Sequence, residues 1–516
     1  VNGAQSLVRT LIAAGVDLCF ANPGTSEMHL VQAIDEESGM RPVLCLFEGV
    51  CTGAADGFGR MTGRPAATLL HLGVGLANGV ANLHNARRAY TPLLNLVGNH
   101  SLAHISLDAP LTSDIESIAR SCSVWTGTSN SADSLAQYGL DAVKATLTRR
   151  PGSAGQIATL IIPANCAWEK ADHVLSPCAK PAVRQVDEAI VKEVAKNLDS
   201  DTLLILNGDA LNPEGLRKAA SVCAVSGARF CCATFPPRID FAPGLPRVFN
   251  LPYLPEAVQD CLRDVRTLVL VGAEAPVTFF DYAYRNTPGS LVPEGTRVLR
   301  LSHQHEDSPA ALAALAEYLG ATDYPGFSRE RPSLPRGELT VRGITQGLAA
   351  LLPENAIVSV DSGGGGATFD PLQGIVPASW LYLTGGSIGQ GGPVSVGAAL
   401  ACPERPVIAL LGDGGAMYTN QSLWTQAREQ LNVTTVIYDN AAYNILDVEY
   451  ARLGINEPGA RAASLFKIDN PLVDWVALAE SMGVPGRRPE RAEDFCTALE
   501  EGLNTPGPLL IDCRIG

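Results

Sequence analysis

A chain of 516 residues exceeds what one ordinary hydrophobic core supports, so roughly three domains of about 150–200 residues each are expected. With 46% hydrophobic and 18% charged residues, 50 glycines and 35 prolines, the composition describes a well-packed α/β protein and excludes a disordered chain. A net charge of -15 and the absence of any Lys/Arg run exclude nucleic acid and an anionic membrane surface as expected partners.

The N-terminal VNGAQSLVRTLIAAGV has amphipathic helical spacing and lacks the separate charged, apolar and cleavage regions of a secretory signal. Apolar runs such as Leu268–Val271 and Val407–Leu411 are too short for membrane spans and fit buried strands, so a cytoplasmic protein without membrane association is expected. The 13 cysteines are scattered without a C-x-x-C pair, which reads as reduced thiols in cores, adjacent Cys231 and Cys232 being structural.

Strand-like runs alternate with helical patterns along the whole chain, which implies parallel sheets. Proline-rich and charged junctions divide it into residues 1–170, 186–325 and 339–516, with KADHVLSPCAKPAVRQ as the first connector. The expected fold class is α/β, three domains each with a central mostly parallel sheet flanked by helices. The first block closes on the strand-like ATLIIPAN. The second carries strand candidates at Leu203–Leu206, Thr267–Val271 and Arg297–Leu301, and the third at Ile357–Val360, Val407–Leu411, Thr434–Tyr438 and Leu509–Ile511.

Four segments carry chemistry. In LFEGVCTGAADGFGRMTGRPA, Leu46 to Ala66, an apolar strand is expected to end in Glu48 before a helix of small residues. A poorly solvated carboxyl there has reason to sit beside a ring nitrogen, whereas an average glutamate faces water. DSGGGG, Asp361 to Gly366, follows another strand and is either an anion-binding loop or a flexible surface loop. TGGSIGQGGPVSVGAAL, Thr384 to Leu400, has glycine spacing too irregular for a dinucleotide fingerprint. The fourth, VIALLGDGGAMYTNQSLWTQAREQLNVTTVIYDNAAYN from Val407 to Asn444, reads as strand, glycine turn, helix, strand and loop.

In that last segment Asp413 lies between two glycines that permit close backbone approach to an anion at a helix N-terminus. Asn440 follows 27 positions later, at the end of the next strand, and adjacent parallel strands would bring both side chains to one carboxyl edge. Magnesium prefers oxygen ligands, and Asp413, Asn440 and the Ala442 carbonyl could supply them. Taken alone, GDG is an ordinary turn.

As a whole, however, the segment resembles the GDG-to-Asn signature of thiamine-diphosphate enzymes, and E-x-x-x-x-x-A-A-D-G-F from Glu48 resembles the N-terminal signature of the same superfamily. The resemblance implies thiamine diphosphate and Mg2+ as cofactors. It implies that Asp413, Asn440 and Ala442 bind the metal, that Gly414, Gly415, Ala416 and Tyr443 adjoin the diphosphate, and that Ser362, Gly363 and Gly364 form a second diphosphate loop. Gly386 would contact the aminopyrimidine, and Ile388 would wedge the cofactor into a bent shape that brings its amino group to its reactive carbon. Glu48 would hydrogen-bond the aminopyrimidine and promote the tautomer that deprotonates the thiazolium.

Within the superfamily the chain is similar to benzoylformate decarboxylase and to acetolactate-synthase-like large subunits over essentially its whole length, in the order pyrimidine-binding, middle and diphosphate-binding domain. FANPGTSE (Phe20–Glu27), LLHLG around His71, and IIPANCAWEKA look like segments of the former. They would place Thr25 and His71 where substrate carboxylate is bound or protons are relayed. A core histidine is the simpler reading of His71 alone. The middle-domain histidine expected near VTFFDYAY is absent, Asp281 or a neighbouring aromatic standing there, so proton relay must differ; Asn99, His100 and His104 are further candidates.

The implied activity is decarboxylation and/or carboligation of a 2-oxo acid through an ylid and enamine, with an acetolactate-synthase-type carboligase as the alternative. The middle block, where NGDALNPEG is only suggestive, carries no convincing dinucleotide turn, so no flavin is expected. The resemblance also implies a homodimer or homotetramer whose active site lies at the subunit interface. A nicotinamide or flavin oxidoreductase would leave the Glu48 and Asp413–Asn440 signatures unexplained, and a catalytically silent assembly or regulatory homologue would have little use for intact cofactor motifs.

Overall fold

A computed structural model describes residues 1–515 apart from 152–154, 172–173, 176–178, 180 and 456. Part of the expected connector at 170–185, and Cys178 within it, therefore lie outside the described residues.

Three sheets form, and their central strands are Leu-, Ile- and Val-rich runs buried on both faces, as expected for strands covered by helices on either side. The first is wholly parallel, in order β2-β1-β3-β4-β6-β5, and is built from β1 (Leu18–Asn22), β2 (Arg41–Leu44), β3 (Ala66–Leu70), β4 (Pro92–Asn99), β5 (Trp125–Thr128) and β6 (Gln156–Pro163). The second, also parallel, contains β7 (Thr202–Leu206), β8 (Arg229–Cys232), β10 (Thr267–Val271) and β11 (Arg297–Ser302) in order β11-β10-β7-β8. β9 (Ile239–Phe241) leaves this unit and pairs antiparallel with β13 (Ala378–Leu381), at the edge of the third sheet. The third sheet continues with β12 (Ala356–Asp361), β14 (Val407–Gly412), β15 (Val433–Asp439), β16 (Gly486–Arg487) and β17 (Leu509–Arg514), in order β16-β17-β15-β14-β12-β13-β9. The chain is thus α/β with three helix-flanked, mostly parallel sheets.

One strand expectation needs correcting. The strand before Glu48 ends at Leu44, and Glu48 is instead the first residue of the helix Glu48–Thr62. Phe47 is extended (φ -155°) and a carboxylate in the first helical turn complements the macrodipole, so the helix claims Glu48. Gly63, in the left-handed region at φ 65°, ends that helix.

Small residues along the Glu48 helix let it pack backbone to backbone against the helix Gly391–Ala401 of the third unit. A Cβ on Gly57 would lie 2.1 Å from the Val394 carbonyl oxygen, and one on Gly397 would lie 1.8 Å from that of Ala54. Farther along, Arg60 and Asp56 form a buried ion pair at 2.7 Å. Arg60 also donates to the carbonyls of Pro237 and Tyr382 and to Thr384 and Gln390, tying three parts of the chain together.

The described cysteines are all free and most are buried; Cys261 is exposed, against the expectation of core thiols throughout. Among the described residues no helix is long and apolar enough to cross a membrane.

Candidate active site

β14 and β15 run parallel with Gly412 opposite Tyr438, so the residues that follow each strand emerge at one carboxyl edge. Asp413 opens the short helix Asp413–Tyr418, its Oδ1 accepting from the Gly414 N–H at 2.9 Å. Asn440 follows β15 directly and its Oδ1 accepts from the Ala442 N–H at 3.2 Å. Ala441 takes a left-handed φ of 50°, and the Tyr443 N–H donates to the Phe466 carbonyl at 2.8 Å, which fixes the turn displaying the Ala442 carbonyl. Burial, then the adjacent Asp439 carboxyl, push Asp413 up to about 6.

The Asp361–Gly366 loop lies alongside. Ser362 caps a one-turn helix of glycines by accepting from the Gly365 N–H at 2.8 Å, so this loop is ordered by its own cap. Cβ atoms on Gly363 or Gly366 would meet nothing within 4 Å, whereas one on Gly364 would meet the Tyr438 ring at 2.7 Å. On the far side Gly386 is exposed with φ 75°, Ile388 is half-buried, and Tyr418 lies against Gly389.

At the carboxyl edge of the first sheet Glu48, His71 and Thr25 form a second group. Asn78 donates to Glu48 Oε2 at 3.0 Å. Gly75 separates Glu48 from His71: a Cβ there would be 3.1 Å from Glu48 Oε1 and 3.5 Å from His71 Cβ. Thr25, in the turn Thr25–Glu27, is exposed. Glu48 is half-buried, less desolvated within a single chain than the sequence led us to expect.

Besides Asn78, two acidic participants were not singled out from sequence. Glu27 is fully buried and accepts from His71 Nδ1 at 2.9 Å, from the Gly24 N–H at 2.8 Å and from Ser26 Oγ at 2.6 Å. Its place at the end of FANPGTSE, three residues past Gly24, was the available signal. Asp439 was passed over because it immediately precedes Asn440 in the motif. Of the other candidates, Asn99 accepts from the His100 N–H, the rings of His100 and His104 lie 5.4 Å apart, and Asp281 is exposed.

The residues fit the expected group. Asp413, Asn440 and the Ala442 carbonyl make an all-oxygen donor set, and a divalent cation would relieve the crowding of Asp413 by Asp439. A Cβ on Gly414 would fall 2.4 Å from the Tyr443 ring, so only glycine leaves that cradle intact. Among the described residues no cluster of three or more His, Cys, Asp or Glu offers a competing metal site. A cavity of about 510 Å³ lies elsewhere, at the carboxyl edge of the middle sheet beside Asn207, Gly208 and Gly272. It is lined by the end of the Glu48 helix but by none of the residues assigned to metal, cofactor or substrate, so the donor chemistry rather than cavity size locates the site.

Parallel sheets that present an all-oxygen donor set at one carboxyl edge and a buried-glutamate group at another are the frame of a cofactor-binding α/β protein. Comparison with known proteins narrows this. Residues 1–118 match the family "Thiamine pyrophosphate enzyme, N-terminal TPP binding domain" and residues 370–513 match "Thiamine pyrophosphate enzyme, C-terminal TPP binding domain". The chain is 47% identical over 516 residues to a Mycobacterium tuberculosis protein provisionally assigned as an acetolactate synthase large subunit, IlvX, covering 99% of this chain and 98% of that protein. It is 27% identical to benzoylformate decarboxylase of Pseudomonas aeruginosa, covering 96% of each. A solved thiamine diphosphate-dependent 4-hydroxybenzoylformate decarboxylase of Rhodococcus jostii superposes with a TM-score of 0.87 at 23% identity, over 100% of this chain and 99% of that one, a likeness of fold. The chain belongs to the thiamine pyrophosphate enzyme family.

Proposed function

We propose that the chain binds thiamine diphosphate through Mg2+ and decarboxylates a 2-oxo acid, with the Asp413–Asn440–Ala442 oxygen set at the carboxyl edge of the third sheet as the observation that carries the reading. Asp413, Asn440 and the Ala442 carbonyl hold the metal, while Gly414, Gly415, Ala416, Tyr443 and the Ser362–Gly364 loop receive the diphosphate. Gly386 and Ile388 face the pyrimidine ring. The bound cofactor supplies a carbon nucleophile and an electron sink.

Glu48 hydrogen-bonds the aminopyrimidine, and Asn78 orients its carboxyl group by donating to Oε2. The Glu27 carboxylate fixes the His71 tautomer by accepting from Nδ1, which leaves Nε2 to take or give a proton at the substrate. Thr25, exposed beside this pair, binds the substrate carboxylate. Glu48 and Asp413 act from opposite subunits on one cofactor, which makes a homodimer the smallest working unit and a tetramer a repeat of two-fold symmetry.

Carboligation of a second 2-oxo acid is the second reading, favoured by 47% identity to the protein assigned as an acetolactate synthase large subunit. Incubating the protein, thiamine diphosphate and Mg2+ with aliphatic and aromatic 2-oxo acids separates the two: free aldehyde supports decarboxylation and a ligated hydroxyketo acid supports synthesis. Consumption of none, or a bound-flavin spectrum, overturns the proposal.

A further inference from the structure

The segment Thr384–Gly391 carries Gly386 and Ile388, and the polar groups around those two positions are pinned from both sides. From the helix Leu72–Arg88, His84 Nε2 donates to the Gly385 carbonyl at 3.1 Å and Asn82 donates to the Gly389 carbonyl at 3.3 Å. Asn85 from the same helix donates to the Ser387 carbonyl at 2.7 Å and accepts from its N–H at 3.2 Å. From the other side, Asp361 at the end of β12 accepts through one oxygen, Oδ2, from the N–H groups of Gly389, Gln390 and Gly391 at 2.7, 2.8 and 3.2 Å.

Those three amides head the helix Gly391–Ala401, so the carboxylate faces the positive end of the helix dipole. The other oxygen, Oδ1, is buried without a hydrogen-bond partner and points toward the diphosphate turn, where a Cβ on Gly415 would be 3.5 Å from it. Asp361 thus touches both cofactor-facing segments while only 5% exposed. Burial pushes its pKa up and the three amides oppose that shift, so the carboxyl sits where an apolar residue would cost less desolvation.

We propose that Asp361 is a positioning residue that sets the pose of Gly386 and Ile388 relative to the diphosphate anchor, and thereby the rate at which the bound cofactor is activated. This rests on the cofactor reading above. Without the clamp the Gly385–Gly389 stretch keeps its tethers to the Leu72–Arg88 helix but loses its fixed distance to Gly415, and a displacement of about 1 Å at a reacting group costs on the order of 100-fold in rate.

The test uses the full chain and its Asp361→Asn and Asp361→Ala variants. Amide hydrogen exchange of residues 384–391 is measured without cofactor, and exchange of the cofactor C2 proton for deuterium is followed by proton NMR with thiamine diphosphate and Mg2+ bound. Expected is at least about tenfold faster amide exchange at 389–391 with β14 still protected, cofactor affinity within about threefold, and C2–H exchange slowed on the order of 100-fold in Asp361→Ala and less in Asp361→Asn. Wild-type C2–H exchange in a folded variant, or unchanged protection at 389–391, overturns the proposal. If Asp361→Ala does not fold, Asp361→Asn decides by the same two criteria. Failure of the unsubstituted protein itself to accelerate C2–H exchange over free cofactor overturns the cofactor reading and the positioning role together, an outcome distinct from failure of the clamp.

Discussion

Replacing Gly397 with alanine puts a methyl carbon 1.8 Å from the Ala54 carbonyl oxygen and 2.7 Å from the Phe58 amide nitrogen. Both are backbone atoms of the Glu48 helix, so no rotamer change relieves the clash. Restoring an ordinary contact of about 3.4 Å requires the two helices to part by roughly 1.6 Å, at a cost of about 1–3 kcal/mol in stability. The Glu48 helix begins at the glutamate itself, and its partner helix follows directly on the segment holding Ile388. That separation disturbs both cofactor-facing groups and lowers turnover on the order of 100-fold. Gly57→Ala, whose Cβ would meet the Val394 carbonyl at 2.1 Å, attacks the same contact from the other helix and reproduces the effect. Gly289→Ala, with open space around its Cβ, is silent. Thermal unfolding and steady-state turnover of the three variants form the assay. Wild-type stability and turnover in Gly397→Ala would refute the claim that this backbone contact sets the site.

Three further outcomes follow from the same geometry. Arg60→Ala strands the buried Asp56 carboxylate and loses the contacts to Tyr382 and Pro237, costing about 3–5 kcal/mol by denaturant unfolding, whereas a loss under about 1 kcal/mol contradicts a structural role for the pair. Because Asp413 is raised to about 6, its contribution to apo-protein stability is fully present below the unfolded value near 4 and is lost as pH rises through about 6. Metal competes with that proton, so the thermal stabilisation by Mg2+ and thiamine diphosphate grows from about pH 5 to about pH 7, and a flat difference contradicts the assignment of Asp413. Glu27→Gln removes the carboxylate that orients His71; kcat falls about 10–100-fold with the pH profile displaced, and an unchanged profile removes the relay.

Much of this was legible in the residues because parallel strands buried on both faces are written as short apolar runs. Thr267–Val271 and Val407–Gly412 stand out for that reason, and the spacing from Asp413 to Asn440 is the length of a turn, helix and strand. The local motif therefore carries its own geometry. What depended on distant pairing was not legible: β9 is only three residues long and joins a sheet more than a hundred positions away. Nothing local to Glu27 marks it for burial; Gly98, His71 and Ser26, the first two from distant parts of the chain, enclose it. The DSGGGG loop stood out, but the part Asp361 plays in it did not, because its three donors arrive from Gly389–Gly391 across a crossover connection.

The sharing of each site between subunits is tested by mixing. Glu48→Gln and Asp413→Ala proteins, each inactive alone, are unfolded together, refolded and assayed with a 2-oxo acid. If the two residues serve one cofactor from opposite subunits, random reassociation restores about a quarter of wild-type turnover, because half of the dimers then contain one site with both residues intact. If both residues act within the same subunit, every site in the mixture carries a lesion and turnover stays at the level of the separate variants, which would contradict the account.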